Sequence, residues 1–263
     1  MDFGLADVSV LVGGGSSGLG FACAKAFLGE GAKVTVVARG RERLERAKEY
    51  LEQLAPGRVL AVAADLSQRG GAKEAFRAAA DCFGPPLVIV ANGGGPPPMP
   101  AREAEEEAFV KAQELLLRPV VEWVQEALRA MRAARWGRFI AITSVSARQP
   151  EKDLVLSSSF RAAVLAYLKT LAREESGYGV TFNAVCPGFT ATQRLEALAQ
   201  RLSAQGGLRP QEVMARWAQA APVGRLGEPE ELAAAVVFLA SRQAGFINGV
   251  ALAVDGGYSL GLL

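Results

Sequence analysis

The feature that most constrains this chain is a glycine turn set directly behind an apolar strand. Val8 to Val12 form a short apolar run, and Gly13-Gly14-Gly15-Ser16-Ser17-Gly18-Leu19-Gly20 follows at once. A strand, a glycine turn and a helix start, in that order, suit the pyrophosphate of a dinucleotide. Glycine turns the chain tightly and, lacking Cβ, lets the backbone approach a phosphate. The helix opening near Gly18 then aims free N–H groups and its positive dipole end at the same point. Gly14, Gly18 and Gly20, spaced G-x-x-x-G-x-G with Ser16, Ser17 and Leu19 between them, are the expected cradle. Glycines alone often serve only to turn a chain; the strand before them and the helix after favour a nucleotide.

The rest of the chain repeats the alternation of strand and helix. Apolar runs rich in Val, Ile and Ala predict buried parallel strands. They fall at Val8–Val12, Lys33–Ala38, Arg58–Ala64, Leu87–Ala91, Arg138–Thr143, Val180–Val185 and Ala251–Val254. Amphipathic stretches predict helices over Arg41–Gln53, Glu103–Met131 and Phe160–Glu174. Pro96-Pro97-Pro98 marks a stiff loop after the fourth strand. Residues 193–222, helical with Gly206-Gly207 inside, have the character of a lid. No linker splits the pattern. The expectation is one α/β domain over 1–263: a Rossmann-type doubly wound fold, seven parallel strands with helices on both faces.

Composition narrows the function. Half the residues are apolar and 21% are charged, as in a globular core-forming chain. A net charge of +2 argues against a nucleic-acid surface. No apolar stretch reaches the roughly 20 residues of a membrane helix. No secretory leader pattern follows Met1, so the expected location is cytoplasmic. Three scattered cysteines offer neither a disulfide framework nor a metal knuckle, so no metal is expected. Histidine is absent, which removes the commonest general base.

The end of the second strand selects the cofactor. A reader of NAD places Asp or Glu there, against the ribose 2′-hydroxyl. This chain has Arg39, whose guanidinium suits a 2′-phosphate, so NADP(H) is expected ahead of NAD(H). Arg41 and Arg43 read as solvated helix residues. Asp65, followed by Leu66, either accepts from the adenine amino group or caps the next helix. Asn92 and Gly93 end the fourth strand, where close-packed backbone passes the adenosine ribose.

Together these motifs resemble the short-chain dehydrogenase/reductase family along nearly the whole chain. Gly14–Gly20 resembles its glycine motif and Ala91-Asn92-Gly93-Gly94 its Asn-Asn-Ala-Gly motif. Ile142-Thr143-Ser144 resembles the strand that carries its catalytic serine. Asn183-Ala184-Val185-Cys186-Pro187-Gly188 and Thr192 resemble its Pro-Gly motif. Pro222-Val223-Gly224-Arg225, Glu228-Pro229-Glu230-Glu231 and Val254-Asp255-Gly256-Gly257 resemble the ending of 3-oxoacyl-carrier-protein reductases. The resemblance implies that Pro187, Gly188 and Thr192 hold the nicotinamide carboxamide. It also implies a homotetramer or dimer, built through the long helices flanking the fifth strand and the C-terminal strand. The apolar tail Leu260 to Leu263 suits such an interface. Cys186 reads as a buried thiol rather than a nucleophile.

One part of the family pattern is not matched. The family uses a serine to fix the carbonyl, a tyrosine to move the proton, a lysine beside it and an asparagine that anchors water. Ser144 keeps the serine position. Thirteen residues on, the tyrosine position reads Ser157, and four further the lysine position reads Arg161. The asparagine position falls on Leu115 or Leu116, with Leu116 the better count. Registers one or two residues either side bring up Leu156, Ser158 and Ser159, never a tyrosine. An aliphatic hydroxyl is a far weaker acid than a phenol of pKa about 10. Arginine stays charged: it can hold a ribose but cannot relay a proton. Tyr167 falls on another face of the same helix and Tyr178 in the turn before the sixth strand. Lys152 and Asp153 are the ionisable residues nearest in sequence.

Two readings follow. The first is an NADP(H)-dependent oxidoreductase acting on a small carbonyl or alcohol, with Ser144, Ser157 and Arg161 at a non-standard site. The second is a catalytically impaired NADP(H)-binding sensor or structural partner protein.

Overall fold

The computed structural model describes residues 2–261. Leu262 and Leu263, half of the apolar tail, lie outside the described residues. In chain order the elements are β1 (Ser9–Gly13), α1 (Gly18–Gly29), β2 (Lys33–Ala38), α2 (Arg41–Leu54) and β3 (Val59–Ala63). Then come α3 (Gly71–Phe83), β4 (Val88–Ala91), α4 (Glu106–Leu116), α5 (Arg118–Ala134) and β5 (Gly137–Ile142). The chain ends with α6 (Val155–Glu174), β6 (Val180–Pro187), α7 (Gln193–Gly206), α8 (Pro210–Ala220), α9 (Pro229–Ala240) and β7 (Ala251–Val254).

The seven strands form one parallel sheet in the order β3-β2-β1-β4-β5-β6-β7. Alternation of side chains along each strand feeds two cores. Val10, Val12, Val34 and Val36 face Phe27 of α1, Leu44 of α2 and Val236 of α9. Leu11, Ile89, Phe139 and Phe182 face Ala75 of α3, Trp123 of α5 and Val164 of α6. Both faces are therefore covered, which is why the strand sequences are apolar almost throughout.

The seven expected strands are all present, with no end displaced by more than two residues. Two helix expectations need correction. The single helix expected over Glu103–Met131 is two, α4 and α5, after a 3-10 turn at Ala101–Glu103. Pro119 cannot donate a backbone N–H back into α4, and its fixed φ instead opens α5 in its first turn. The helix expected from Phe160 begins five residues earlier, at Val155. There Met99 pairs with Leu154 as an isolated bridge, and Ser158 N–H donates to Leu154 O at 2.8 Å. That tertiary anchor sets the first turn despite the weak helix propensity of three serines. Residues 193–222 are the helix pair α7 and α8, parted at Gly207 with φ +73°. Among the described residues, no helix is long and apolar enough to cross a membrane.

Candidate active site

The strand order reverses between β1 and β4, and a cleft of about 860 Å³ opens at the carboxyl ends of the strands there. Its floor at one end is the glycine turn. Gly14 takes φ +59° and Gly18 φ +55°, conformations that side chains other than glycine rarely adopt. Asn92 Nδ2 donates to Gly13 O at 3.0 Å and ties the end of β4 to this turn. Ser17 is the N-cap of α1, yet its hydroxyl makes no capping bond, and it lines the cleft. The α1 N-terminus thus offers unpaired backbone donors and a free hydroxyl to the cleft. Gly14, Ser16, Ser17, Gly18 and Leu19 all line it. Gly20 does not; it is buried beneath the turn, where a Cβ would stand 2.4 Å from Gly14 O.

Beside the turn, the loops after β2 and β3 form the next wall of the cleft. Arg39, Asp65 and Leu66 line it, as do Arg41 and Arg43. Arg39 is 67% exposed in its side chain and stands 3.9 Å from Asp65, so its guanidinium is free to meet an anion. Asp65 Oδ1 accepts from Ser67 N–H and Ser67 Oγ, at 2.9 and 2.7 Å. It caps that short turn rather than the next helix, α3, whose N-cap is Gly70.

At the far end lie Ser144, Ser157 and Arg161, brought together by β5 and α6. Ser144 Oγ accepts from Ser146 N–H at 3.1 Å and from Ser146 Oγ at 2.9 Å. With those lone pairs engaged, its own hydrogen is left to donate into the cleft. Arg161 Nη1 donates to Ile142 O at 3.1 Å and Thr143 O at 2.7 Å; its Nε donates to Ser157 Oγ at 3.1 Å. Burial, with repulsion from Arg194, pulls this guanidinium down to about 10, which leaves it charged at neutral pH. Leu115 and Leu116 line the same wall.

Pro187, Gly188 and Thr192 complete the opposite wall. Gly188 packs against Asp255, where a Cβ would meet side chain and backbone within 3 Å. Thr192 Oγ1 caps α7 by accepting from Leu195 N–H at 3.3 Å. Cys186 is buried, its Sγ 3.1 Å from Thr143 Oγ1, and burial pushes its thiol pKa up. That is the inert thiol expected of it.

Several residues escaped the sequence reading. Glu151 lines the cleft, whereas Lys152 and Asp153 are exposed beside it and do not. The ionisable group at this end is therefore Glu151, not its two neighbours. Tyr258 O–H donates to Glu151 Oε1 at 2.8 Å, across 107 residues of sequence. Phe189 stacks on Trp217 of α8 with Tyr258 at its edge, tying the lid-like pair to the chain end. The motif Asp255-Gly256-Gly257 held a signal for this, because it returns the chain over Gly188. Tyr167 packs against the second core. Among the described residues, no tyrosine or lysine lines the cleft.

The chain is similar to known proteins over nearly its whole length. A family model described as enoyl-(acyl carrier protein) reductase matches residues 14–259. The 3-oxoacyl-[acyl-carrier-protein] reductase MabA of Mycobacterium tuberculosis is 33% identical, over 96% of this chain and 93% of its own. Galactitol 2-dehydrogenase (L-tagatose-forming) of Cereibacter sphaeroides is 30% identical, over 98% and 97%. The crystal structure of L-sorbose reductase from Gluconobacter frateurii, complexed with NADPH and L-sorbose, superposes with a TM-score of 0.94. It is 31% identical and matches over the full length of both chains. With both fold and sequence shared from end to end, this chain belongs to the short-chain dehydrogenase/reductase family of oxidoreductases.

Proposed function

We propose that the protein is an NADP(H)-dependent oxidoreductase that interconverts a small carbonyl compound and its alcohol at a site lacking the family's tyrosine and lysine. The observation that carries this reading is one continuous cleft, from the glycine turn to the Ser144 hydroxyl. The residues fit a phosphorylated dinucleotide. A Cβ would clash at Gly14, Gly15 and Gly20 of the glycine cradle, the Ser17 hydroxyl is uncommitted, and Arg39 is open to solvent at the ribose end. NADPH-bound relatives of the same fold support the choice of cofactor. In this reading Gly14–Leu19 hold the pyrophosphate and Arg39 the 2′-phosphate. Asp65, Leu66, Asn92 and Gly93 border the adenosine, and Pro187, Gly188 and Thr192 border the nicotinamide. Bound NADP(H) supplies or accepts the hydride.

The chain's own residues do the rest. Ser144 donates to the substrate carbonyl oxygen. Arg161, fixed to the end of β5 by two carbonyls, keeps positive charge beside the nicotinamide ribose. Ser157 is held by Arg161 Nε and is too weak an acid to replace a phenol. The proton then comes from solvent or from Glu151. General acid catalysis is worth about 10²–10⁴-fold, so its weakening slows turnover without abolishing it. The α7–α8 pair acts as the lid. Exposed Phe246, Val250 and Leu252 at and before β7 support assembly of copies along that edge.

A second reading, an NADP(H)-binding sensor or partner subunit, is favoured by the absence of tyrosine and lysine from the cleft lining. NADPH oxidation across a panel of ketones and 3-oxoacyl thioesters separates the two. Turnover by the wild type supports the enzyme. A silent wild type that binds NADPH, and gains activity as Ser157→Tyr with Arg161→Lys, supports the second reading.

A further inference from the structure

The cleft carries two guanidinium groups at its reacting end, and the carboxylate there, Glu151, is bonded to Tyr258 rather than to either of them. Arg161 is one. The other is Arg194, in the first turn of α7, two residues beyond the helix cap Thr192. Its side chain reaches back across the cleft to the loop after β4. There its guanidinium lies on Gly95: a Cβ at Gly95 would sit 2.2 Å from Nη2, 3.0 Å from Cζ and 3.1 Å from Nη1. Gly95 thus clears the space the guanidinium fills. Among the described residues Arg194 has no hydrogen-bond or ion-pair partner. The carboxylates that line the cleft are engaged elsewhere. Glu42 accepts from Arg46, Asp65 accepts from Ser67 and neighbours Arg39, and Glu151 accepts from Tyr258.

Arg194 is exposed where it lines the cleft, so its guanidinium is open to an anionic ligand that enters there. Besides burial, repulsion from Arg194 lowers the pKa of Arg161, so the two guanidinium groups sense each other. The expected cofactor phosphates have other places, at the α1 N-terminus and at Arg39. The loop that Arg194 covers runs on to Met99, whose N–H donates to Asp153 O and which pairs with Leu154 ahead of Ser157. Arg194 and Ser157 both line the cleft, and Arg161 links them, since it bonds Ser157 and feels the charge of Arg194. Leu115, Leu116, Leu154, Leu195 and Leu198 line the same cleft, which suits an apolar body carrying one anionic group.

We propose that Arg194 binds the carboxylate of the substrate, so that the substrate is an oxo acid or hydroxy acid with an apolar body rather than a neutral ketone. This rests on the oxidoreductase reading above and names its substrate class. The planar fork of Arg194 suits bidentate contact with a carboxylate. Lost charge-assisted hydrogen bonds of this kind correspond to about 10- to 100-fold in affinity.

The test begins with fluorescence titration of NADPH into wild type, Arg194→Leu, Arg194→Lys and Gly95→Ala. Absence of NADPH binding in the wild type refutes the oxidoreductase reading and this inference with it. With NADP⁺ bound, calorimetry then compares 3-oxooctanoate with methyl 3-oxooctanoate, and NADPH oxidation is followed with the same pair. The expected wild type binds the acid at least 10-fold tighter than the ester. Arg194→Leu removes that preference, Arg194→Lys restores part of it, and NADPH affinity changes by less than threefold. Gly95→Ala, which displaces the guanidinium without removing it, weakens acid binding in the same direction. Equal binding of acid and ester by the wild type overturns the inference and leaves the oxidoreductase reading standing. A 10-fold loss of NADPH affinity in Arg194→Leu also overturns it, because Arg194 then belongs to the cofactor.

Discussion

Substituting Gly20 by alanine probes the cradle at its tightest point. The added Cβ would stand 2.4 Å from Gly14 O, 2.7 Å from Gly13 O and 2.7 Å from the Gly14 carbonyl carbon. Real Cβ contacts essentially never fall below 3.0 Å, so the first turn of α1 must retreat from the glycine turn by at least about 0.6 Å. Neither side yields cheaply, because every atom met is backbone. Gly13 closes a fully buried strand, and Trp123 packs over it from α5. Overpacking of this kind costs about 1–3 kcal/mol. In a chain of this size each kcal/mol moves Tm by about 2–4 °C, so a fall of about 2–12 °C is expected. Displacing the α1 N-terminus also misdirects its free N–H groups, and NADPH affinity should drop at least 10-fold. Gly29→Ala is the control at the other end of the same helix. Its Cβ would meet nothing within 4 Å, and its helical backbone accepts alanine, so stability should hold or rise by up to about 1 kcal/mol. Differential scanning fluorimetry and NADPH titration read both variants. A Gly20→Ala protein with unchanged Tm and NADPH affinity would refute the claim that α1 is seated on the turn through that contact.

Other consequences are as direct. Arg39→Glu should reverse cofactor preference, weakening NADPH by about 10- to 100-fold relative to NADH in paired titrations, since it puts a carboxylate where the 2′-phosphate would lie. Burial and the bond to Glu151 push the Tyr258 phenol up to about 12 from an ordinary 10.0. A raised folded pKa gives stability present below pH 10 and lost as pH climbs from about 10 to 12. Burial raises Tyr167 as well, so absorbance at 295 nm should show late-titrating phenols of which Tyr258→Phe removes one; titration of all tyrosines together near pH 10 would contradict the contact. Glu151→Gln should lower NADPH-dependent turnover if this carboxyl takes part in moving the proton, and leave turnover unchanged if solvent alone does.

Much of this was legible in the sequence because parallel strands buried on both faces are nearly continuous in apolar residues. All seven strands stood out as Val- and Ile-rich runs, and β2 and β7 had their ends placed to the residue. The glycine spacing disclosed the cradle, since its positive-φ positions and close approaches admit little else. Boundaries failed where tertiary contact overrides local preference. Ser157, Ser158 and Ser159 are poor helix formers, yet the bridge from Met99 to Leu154 winds them into α6. The site was harder to read where partners are remote. Glu151 and Tyr258 meet across 107 residues, and Arg194 meets Gly95 from a helix whose local pattern reads only as amphipathic. Ser144 was visible as a motif residue, but its aim depends on Ser146 two positions on.

The central claim is that a phosphorylated dinucleotide runs the length of the cleft and presents its reactive ring beside Ser144. A crystal structure of the protein with NADP⁺ tests this most directly. The account predicts pyrophosphate on the N–H groups of Ser17–Leu19, the 2′-phosphate on Arg39, and the nicotinamide between Pro187–Gly188 and the Ser144 hydroxyl. A dinucleotide whose nicotinamide lies outside the cleft, or whose 2′-phosphate turns away from Arg39, would contradict it.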